Sequence, residues 1–320
     1  MNEFLAPHVV AAFASNVALI GQEKQSALLP YVNADLNTAE KGDRWTEDWF
    51  GRLDFKRMKS QWSNSPEQQI EQFRRFAFFH SDDCGAFTTK DKVLEQLVDP
   101  KSALVQAVAA AEQRYMEQSI FDDILYAETQ YEVNEDEQIQ TVSFPTGNII
   151  AVDDPGIYYG KLDGRAAPTG NTLDFLNPAK LRKAKVILNR GEEQIMSMPI
   201  VPVEEEDVVN LLTAEELTDA DKTAIRRLED HNLTTWGGFQ FVKVAPGRLR
   251  LAPGTNDVYE TVVYLREYAG FKTRSLTDFR MVERADKNFQ PYLYCAKQAS
   301  GMRTRDSAFV RVRFQRHATA

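Results

Sequence analysis

The stretch DPKSALVQAVAAAEQRYMEQSIFDDILY, residues 99–126, decides how the rest of the chain is interpreted. Asp99 is a good N-cap residue, and Pro100 suits the first helical position, where its missing N–H is not needed. No glycine or proline follows through Glu128, so the pattern predicts one helix over residues 99–128. At about 1.5 Å per residue this helix is on the order of 40 Å long, far beyond the usual three turns. One interpretation is a core helix of an α+β domain, but a helix of this length is a strut more than a core filler.

Composition sets the class of protein. The chain has 320 residues, of which 43% are hydrophobic and 27% charged, as in a folded protein of one large or two ordinary domains. The formal net charge of -9 argues against a protein that coats nucleic acid. The two cysteines, Cys84 and Cys295, are too few for a disulfide framework, which makes a reducing cytoplasm the default compartment.

The first part of the chain predicts two irregular segments. Residues 1–42 read as an arm with helical pieces, and their apolar run lacks the basic flank of a signal peptide and the length of a membrane span. Residues 43–79 mix aromatic and charged side chains around a polar tip, SNSP at 63–66, which predicts two extended arms. Such an excursion cannot bury both faces alone, so its aromatic residues need a partner surface: Trp45, Trp49, Phe55 and Trp62.

Strand and helix patterns alternate further along the chain. A loop-rich stretch over 153–171 is the best candidate domain boundary. The patterns before and after it predict strands at 141–152, a helix from Asn177 to Gly191, a strand at 195–202, a helix that begins in the acidic run 204–207, a helical piece within 223–232 and a strand at 237–244. The alternation indicates a compact α/β unit over 172–284.

The last strand pattern places its arginines at odd positions. Arg303, Arg305, Arg311 and Arg313 alternate with small and apolar residues, which predicts one apolar face inward and one basic face outward. The basic face has three interpretations: a solvated surface, contact with packaged nucleic acid, or a subunit interface. In the third, which we prefer to the second, the arginines meet carboxylates of a neighbouring copy, for example Asp54, Glu67 or Glu71.

The chain shows little that points to catalysis. His80, Asp82, Asp83 and Cys84 are the nearest approach to a metal or nucleophile site, but one imidazole and one thiol do not close a tetrahedral site. The stretch 164–171 lacks the ending of a phosphate loop, and the acidic pairs read as solvated faces. No catalytic, cofactor-binding or metal-binding residue is predicted, which weakens an enzyme with a cleft beside 172–284.

Several stretches, in this order, resemble the major capsid proteins of tailed bacteriophages. They are FASNVALIGQEKQSALLPYV (13–32), RRFAFFHSDDCGAFTTKDKVLEQLV with the long helix to Leu125 (74–125), TVSFPTGNIIAV (141–152), LNPAKLRKAKVILNRG (176–191), TWGGFQFVKV (235–244) and YLYCAKQASGMRTRDSAFVRVRF (292–314). Each piece alone is weakly specific. Their order and spacing carry the resemblance.

The resemblance implies an α+β chain with the Hong Kong 97-type capsid fold. Read onto this sequence, that fold gives the following parts: an N-terminal arm at 1–42, an extended loop at 43–79, a peripheral domain at 80–171 with a spine helix at 99–128, an axial domain at 172–284, and C-terminal strands at 285–320 that return to the peripheral domain. The long helix would then set the long dimension of a shell tile.

The resemblance also implies a structural function without catalysis. Copies would form pentamers and hexamers of an icosahedral phage head around double-stranded DNA, contacted without sequence specificity, after assembly in the host cytoplasm. A separate scaffolding protein, a portal and a possible decoration protein are the implied partners, and no membrane is involved. A bacterial nanocompartment shell of the same fold is the alternative. Deleting 55–70 is expected to leave a folded subunit that does not assemble.

The predicted subunit interface combines the aromatic excursion with the basic strand face. Its residues are Trp45, Trp49, Phe55, Arg57, Trp62, Glu67, Glu71, Arg303, Arg305, Arg311 and Arg313.

Overall fold

A computed structural model describes residues 26–36, 38, 42–51, 72–87, 100–133, 138–152, 175–190, 197–213, 235–284 and 290–316. Several predictions lie outside these residues. They are the helical pieces before Ser26, the tip of the excursion with Phe55, Arg57, Trp62, Glu67 and Glu71, the cap at Asp99, and the helical piece within 223–232.

The described helices fall in the middle of the chain. They are α1 (Pro100–Ser119), α2 (Pro178–Arg190) and α3 (Glu205–Thr213), with a π-helical turn at Ile120–Leu125. Short 3₁₀ turns occur at Leu29–Tyr31, Thr146–Asn148, Arg266–Tyr268 and Asp306–Ala308.

The strands extend along the whole described chain. They are β1 (Asn33–Asp35), β2 (Arg44–Phe50), β3 (Gln72–Phe78), β4 (His80–Phe87), β5 (Thr129–Val133), β6 (Ile139–Ser143), β7 (Ile149–Ile150), β8 (Ile200–Val203), β9 (Thr235–Trp236), β10 (Phe239–Lys243), β11 (Arg250–Leu251), β12 (Val258–Tyr264), β13 (Ala269–Arg284), β14 (Gln290–Arg303) and β15 (Phe309–Gln315).

Among the described residues these strands form three sheets. The first has the order β1-β13-β14-β4, and the second has the order β2-β3-β5-β6. The third and largest has the order β7-β15-β12-β8-β10-β9, with β11 added beside β12. The two extended arms predicted within 43–79 are therefore β2 and β3, which pair in antiparallel register from Arg44 opposite Phe78 to Phe50 opposite Gln72.

The long helix is present but ends earlier than predicted. The α-helix runs from Pro100 to Ser119 and continues as the π-helical turn, so helical backbone stops at Leu125 and not at residue 128. The turn closes where the Tyr126 N–H donates to the Phe121 carbonyl at 2.7 Å. The side chains of this turn, Ile120, Phe121, Ile124 and Leu125, are buried in the main core, while α1 also packs along β14 and β4. Among the described side chains, the π-helical turn and Met116 of α1 pack in the main core, and Val108 of α1 packs with Cys295 of β14.

The main core lies between the largest sheet and the helices that cover it. β8 is buried along its whole length, as its apolar run predicted, and α2 packs against β15 through Leu181, Ala184 and Leu188. The start of α2 follows the predicted signal, since the Lys180 N–H donates to the Asn177 side-chain oxygen at 2.9 Å. Three acidic residues occupy the first turn of α3, where negative charge favours the helix dipole.

The C-terminal sheets differ from the predicted division. β13, placed by prediction in the 172–284 unit, pairs with β14, which also pairs with β4. β15 lies between two strands of the largest sheet: it pairs with β12 of the predicted 172–284 unit on one side, and with β7 of the predicted 80–171 unit on the other. The 3₁₀ turn at Asp306–Ala308 lets the chain cross from one sheet to the other. This crossing breaks the single alternating strand that the sequence pattern indicated.

Candidate assembly surface and buried arginine network

The sheet β2-β3-β5-β6 presents one face to solvent, and that face carries large apolar side chains. Tyr131 of β5 lies opposite Phe76 of β3, and Ile139 of β6 lies opposite Val133, which is on the same face of β5 as Tyr131. The register therefore places five large apolar residues on one face of the sheet: Phe50, Phe76, Phe78, Tyr131 and Ile139. The exposed fractions are 63% for Phe50, 54% for Ile139, 42% for Phe78 and 39% for Tyr131. We call these four exposed residues, with Phe76 beneath them, the aromatic face.

The aromatic face is ordered by ring contacts. Tyr131 stacks on Phe76 with ring centroids 5.6 Å apart and meets Phe78 edge-on at 5.3 Å. The Arg44 guanidinium lies 5.4 Å from the Phe76 ring, so Phe76 is buried although it points outward. Beside the rings, Arg74 donates two hydrogen bonds to Asp48, at 2.7 and 2.8 Å, which lowers the pKa of that carboxyl. A preformed apolar surface rimmed by charge is typical of a protein–protein contact.

The opposite face of this sheet packs against the protein, and there the structure corrects the prediction for Trp45. Trp45 is 2% exposed, and its indole N–H donates to the Ser300 hydroxyl at 2.9 Å. The Lys272 ammonium lies 4.7 Å from its ring centroid. Trp45 therefore anchors β2 to β13 and β14 of its own chain, and it offers no surface to a neighbouring copy.

Trp49 lies on the same inner face but nearer its edge. It stacks on Phe73 with ring centroids 5.6 Å apart, and the guanidinium of Arg305 lies 5.9 Å from its ring. Both Trp49 and Arg305 keep part of their surface exposed. Their role at a subunit interface stays a prediction.

Arg303 holds the end of the long helix. Its side chain is fully buried and donates to the carbonyl oxygens of Ile124 at 2.8 Å and Ala127 at 2.7 Å, and to Asp306 at 2.9 Å. The last carbonyls of a helix have no partner within the helix, and a cation there also suits the helix dipole. Burial lowers the pKa of Arg303 to about 10, so it stays charged at neutral pH.

Arg311 extends this network to the largest sheet. It donates to both oxygens of Glu128 at 3.0 Å and to the Ala127 carbonyl at 2.8 Å, and its Nε lies 3.3 Å from Glu260. Burial disfavours the charge on Glu128, but the bonds from Arg250 and Arg311 outweigh it and lower the pKa of that carboxyl. Glu260, buried within β12, is also 3.3 Å from Arg313.

The predicted outward orientation is therefore wrong for Arg303 and Arg311. Both are buried inside the subunit, because β14 and β15 are covered on both faces where the long helix ends between them. Arg313 is partly exposed and remains a candidate for contact with another copy.

The partners of these arginines were missed by the sequence reasoning, although two signals pointed to them. Asp306 follows Arg303 by three residues, and Glu260 interrupts the apolar strand VYETVVY. A single carboxylate within an apolar strand predicts a buried ion pair, since an unpaired buried charge is strongly unfavourable.

The weak catalytic candidate around His80 does not form a metal centre. His80 lies 3.9 Å from Asp82 and 3.6 Å from Asp123. Within the described part of the chain, no three His, Cys, Asp or Glu side chains lie close enough together to hold a metal ion. None of the described helices is both long and apolar enough to cross a membrane.

Asp123, in the π-helical turn, gives a pH prediction. Its burial, opposed by His80 and reinforced by Asp122 and Asp82, raises its pKa to about 6. The unfolded chain ionises this group near pH 4, so the folded state loses stability as the pH rises from about 4 to about 6. The free energy of unfolding of Asp123→Asn, compared with that of the wild type, should therefore shift in favour of the variant by on the order of 1–2 kcal/mol as the pH rises from 4 to 7.

Urea unfolding at pH 4 and at pH 7 measures this difference, and Thr129→Ala is the control. Thr129 is exposed and carries no ionisable group, so its substitution should change the free energy of unfolding equally at the two pH values. A pH-independent effect of Asp123→Asn would contradict the prediction.

The architecture matches solved shells of tailed phages. A chain in the capsid of Ralstonia phage GP4 is similar with a TM-score of 0.63 and 13% identity, over 94% of this chain and 94% of that chain. A chain of the cyanophage Pam1 capsid gives 0.62 and 10%, over 92% and 93%. A chain of the mature capsid of bacteriophage PhiM1 gives 0.57 and 11%, over 91% and 87%. No curated protein sequence matches the chain.

These likenesses define the class: an α+β protein of the Hong Kong 97-type fold, as the sequence resemblance implied. A family model for phage capsid proteins matches residues 5–316, and the chain belongs to that family. It is a structural major capsid protein, and its place is the virion capsid. The nanocompartment alternative is not favoured.

Proposed function

We propose that copies of this chain assemble through the aromatic face into the pentamers and hexamers of an icosahedral head that encloses double-stranded DNA. The observation that carries the proposal is the exposure of four large apolar side chains on one face of the sheet β2-β3-β5-β6. The occupant is a second copy, because the family is one whose members build shells from many copies.

The geometry of the face suits a repeated contact between copies. The aromatic face lies on one side of its sheet. On the opposite side, Arg75 of β3 donates to the Arg303 carbonyl oxygen and to Asp306, and these contacts close that side within the subunit. A contact between two unlike surfaces of identical copies closes into a ring, which is how pentamers and hexamers arise. Charges at the rim, such as Arg74 and Asp48, set register more than affinity.

The remaining partners belong to the same proposal. Assembly takes place in the host cytoplasm with a separate scaffolding protein, a portal and possible decoration proteins. The packaged DNA is contacted without sequence specificity, in keeping with a net charge of -9. The role of the chain is structural and not enzymatic, in keeping with its family.

The proposal is tested by removing apolar area from the aromatic face. In Phe78→Ser/Ile139→Ser, each lost contact weakens association by about 1–2 kcal/mol, so the critical concentration for assembly should rise at least about tenfold. Sedimentation velocity and negative-stain electron microscopy of the purified protein, with scaffolding protein where it is required, measure the shell fraction.

A matched control separates this surface from exposed apolar area in general. Val186, half exposed on α2, lies away from the aromatic face, and Val186→Ser should assemble like the wild type. Thermal unfolding should show that all variants remain folded. Normal shells from the double variant would rule out the aromatic face as an assembly contact.

A further inference from the structure

The two cysteines of the chain, far apart in sequence, are direct neighbours across a pair of strands. Cys84 on β4 lies opposite Cys295 on β14 in antiparallel register. Directly opposite residues of such a pair have Cα atoms about 4.5 or 5.5 Å apart, depending on the hydrogen-bonding position. Both values lie within the range of about 4.4–6.8 Å that a disulfide spans.

The two side chains also lie on the same side of the sheet. Both pack with Val108 of α1 and line one cavity of about 90 Å³, together with Ala111 and Tyr115. Opposite Cβ atoms on antiparallel strands are about 4.5–5.5 Å apart, and a disulfide needs about 3.5–4.5 Å. Closing the bond thus requires a local approach of about 1 Å, and β4 can supply it because it is the last strand of its sheet.

We infer that Cys84 and Cys295, both thiols in this structure, are the site of a reversible intrachain disulfide that locks β4 to β14 when the subunit is oxidised. This site is a property of the subunit and does not depend on the proposed assembly contact.

The reaction is a thiol–disulfide exchange with a low-molecular-weight disulfide, such as oxidised glutathione. Cys84, which is partly exposed, attacks first as its thiolate, forming a mixed disulfide and releasing one glutathione thiolate. The Cys295 thiolate then attacks the Cys84 sulfur and releases the second. The two protein thiols lose two protons and two electrons, and the oxidised glutathione takes them up as two thiols.

The bond would act on the strand where the excursion ends. β4 follows β3 after one residue, and its described pairing within the sheet is with β14. A covalent link between these strands closes a very long chain loop, which is the case where the entropy of the unfolded chain falls most. The oxidised subunit should therefore be more stable than the reduced one.

The experiment treats the folded, full-length protein with oxidised glutathione. We expect both thiols to disappear in a thiol titration, and peptide mapping to find the Cys84–Cys295 link in a monomer that migrates faster without reductant. The Tm should rise by about 3–6 °C and return to its starting value with dithiothreitol.

Cys84→Ala is the matched control, because it keeps Cys295 but cannot form the bond. Its Tm should not respond to the oxidant. The wild-type measurements decide the question even if this variant folds poorly. Persistence of both thiols in the folded protein, covalent dimers in place of the internal link, or an internal link without a rise in Tm would each overturn the inference.

Discussion

Arg303→Met is expected to destabilise the subunit by about 3–5 kcal/mol, because it removes one cation of a buried ion-pair network together with the donor that binds the end of the long helix. Among the described residues, Asp306 would keep Arg75, which lies 2.7 Å away. The carbonyls of Ile124 and Ala127 would lose the guanidinium that now binds both of them. Equilibrium unfolding in guanidinium chloride at pH 7 measures the effect.

Arg313→Met is the matched control for Arg303→Met. Arg313 is partly exposed and has one 3.3 Å contact with Glu260, which keeps Arg311 as a second partner. Its substitution should cost about 1 kcal/mol or less. Arg303→Lys keeps the charge but not the planar guanidinium group, so the stability of this variant should lie between those of Arg303→Met and Arg313→Met. Equal losses for Arg303→Met and Arg313→Met would show that Arg303 does not hold the helix end.

The local elements of this fold could be predicted from sequence because their signals are local. Asn177 with Pro178 marked the start of α2, and the acidic run at 204–207 marked that of α3. The glycine- and proline-free run after Pro100 indicated the long helix, though not its change to π-helical backbone at Ile120. That change depends on how the turn packs in the core, which no local pattern encodes.

The sheet that each strand joins, and what covers its faces, could not be predicted in the same way. Period-two alternation states that a strand has two faces, but not what covers each of them. β15 alternates as a half-exposed strand would, yet α2 and the end of the long helix cover both of its faces. Arg311 is tolerated there because Glu128 and Glu260, distant in sequence, reach it.

Prediction from sequence has the same limit for the aromatic residues of the assembly surface. The sequence predicts a neighbouring copy as the partner of Trp45, but its own chain buries it. The exposed face is formed by Phe50, Phe78, Tyr131 and Ile139. Which side of β2 and β3 points outward is decided by β13 and β14, which cover Trp45. Sequence spacing separates the two faces of a hairpin but does not say which of them is solvated.

Gly301→Val is expected to destabilise the subunit by about 3 kcal/mol or more, because β14 passes against the π-helical turn with no space for a side chain. A Cβ atom at Gly301 would lie 2.6 Å from Ile124 Cγ1 and 2.8 Å from Asp123 Cβ, much closer than van der Waals contact. The Asp123 Cβ moves only with its backbone. The turn or the strand would therefore have to shift, and with it the carbonyls that Arg303 binds.

Gly301→Ala should already cost about 1–3 kcal/mol by the same overpacking, and Gly147→Ala is its control. A Cβ at Gly147 would meet nothing within 4 Å, so this substitution should change the free energy of unfolding by about 0.5 kcal/mol at most. Urea unfolding of the three variants measures the series. Equal stability of Gly301→Ala and Gly147→Ala would mean that the long helix and β14 are not in close contact, and that Arg303 cannot reach the helix end as described.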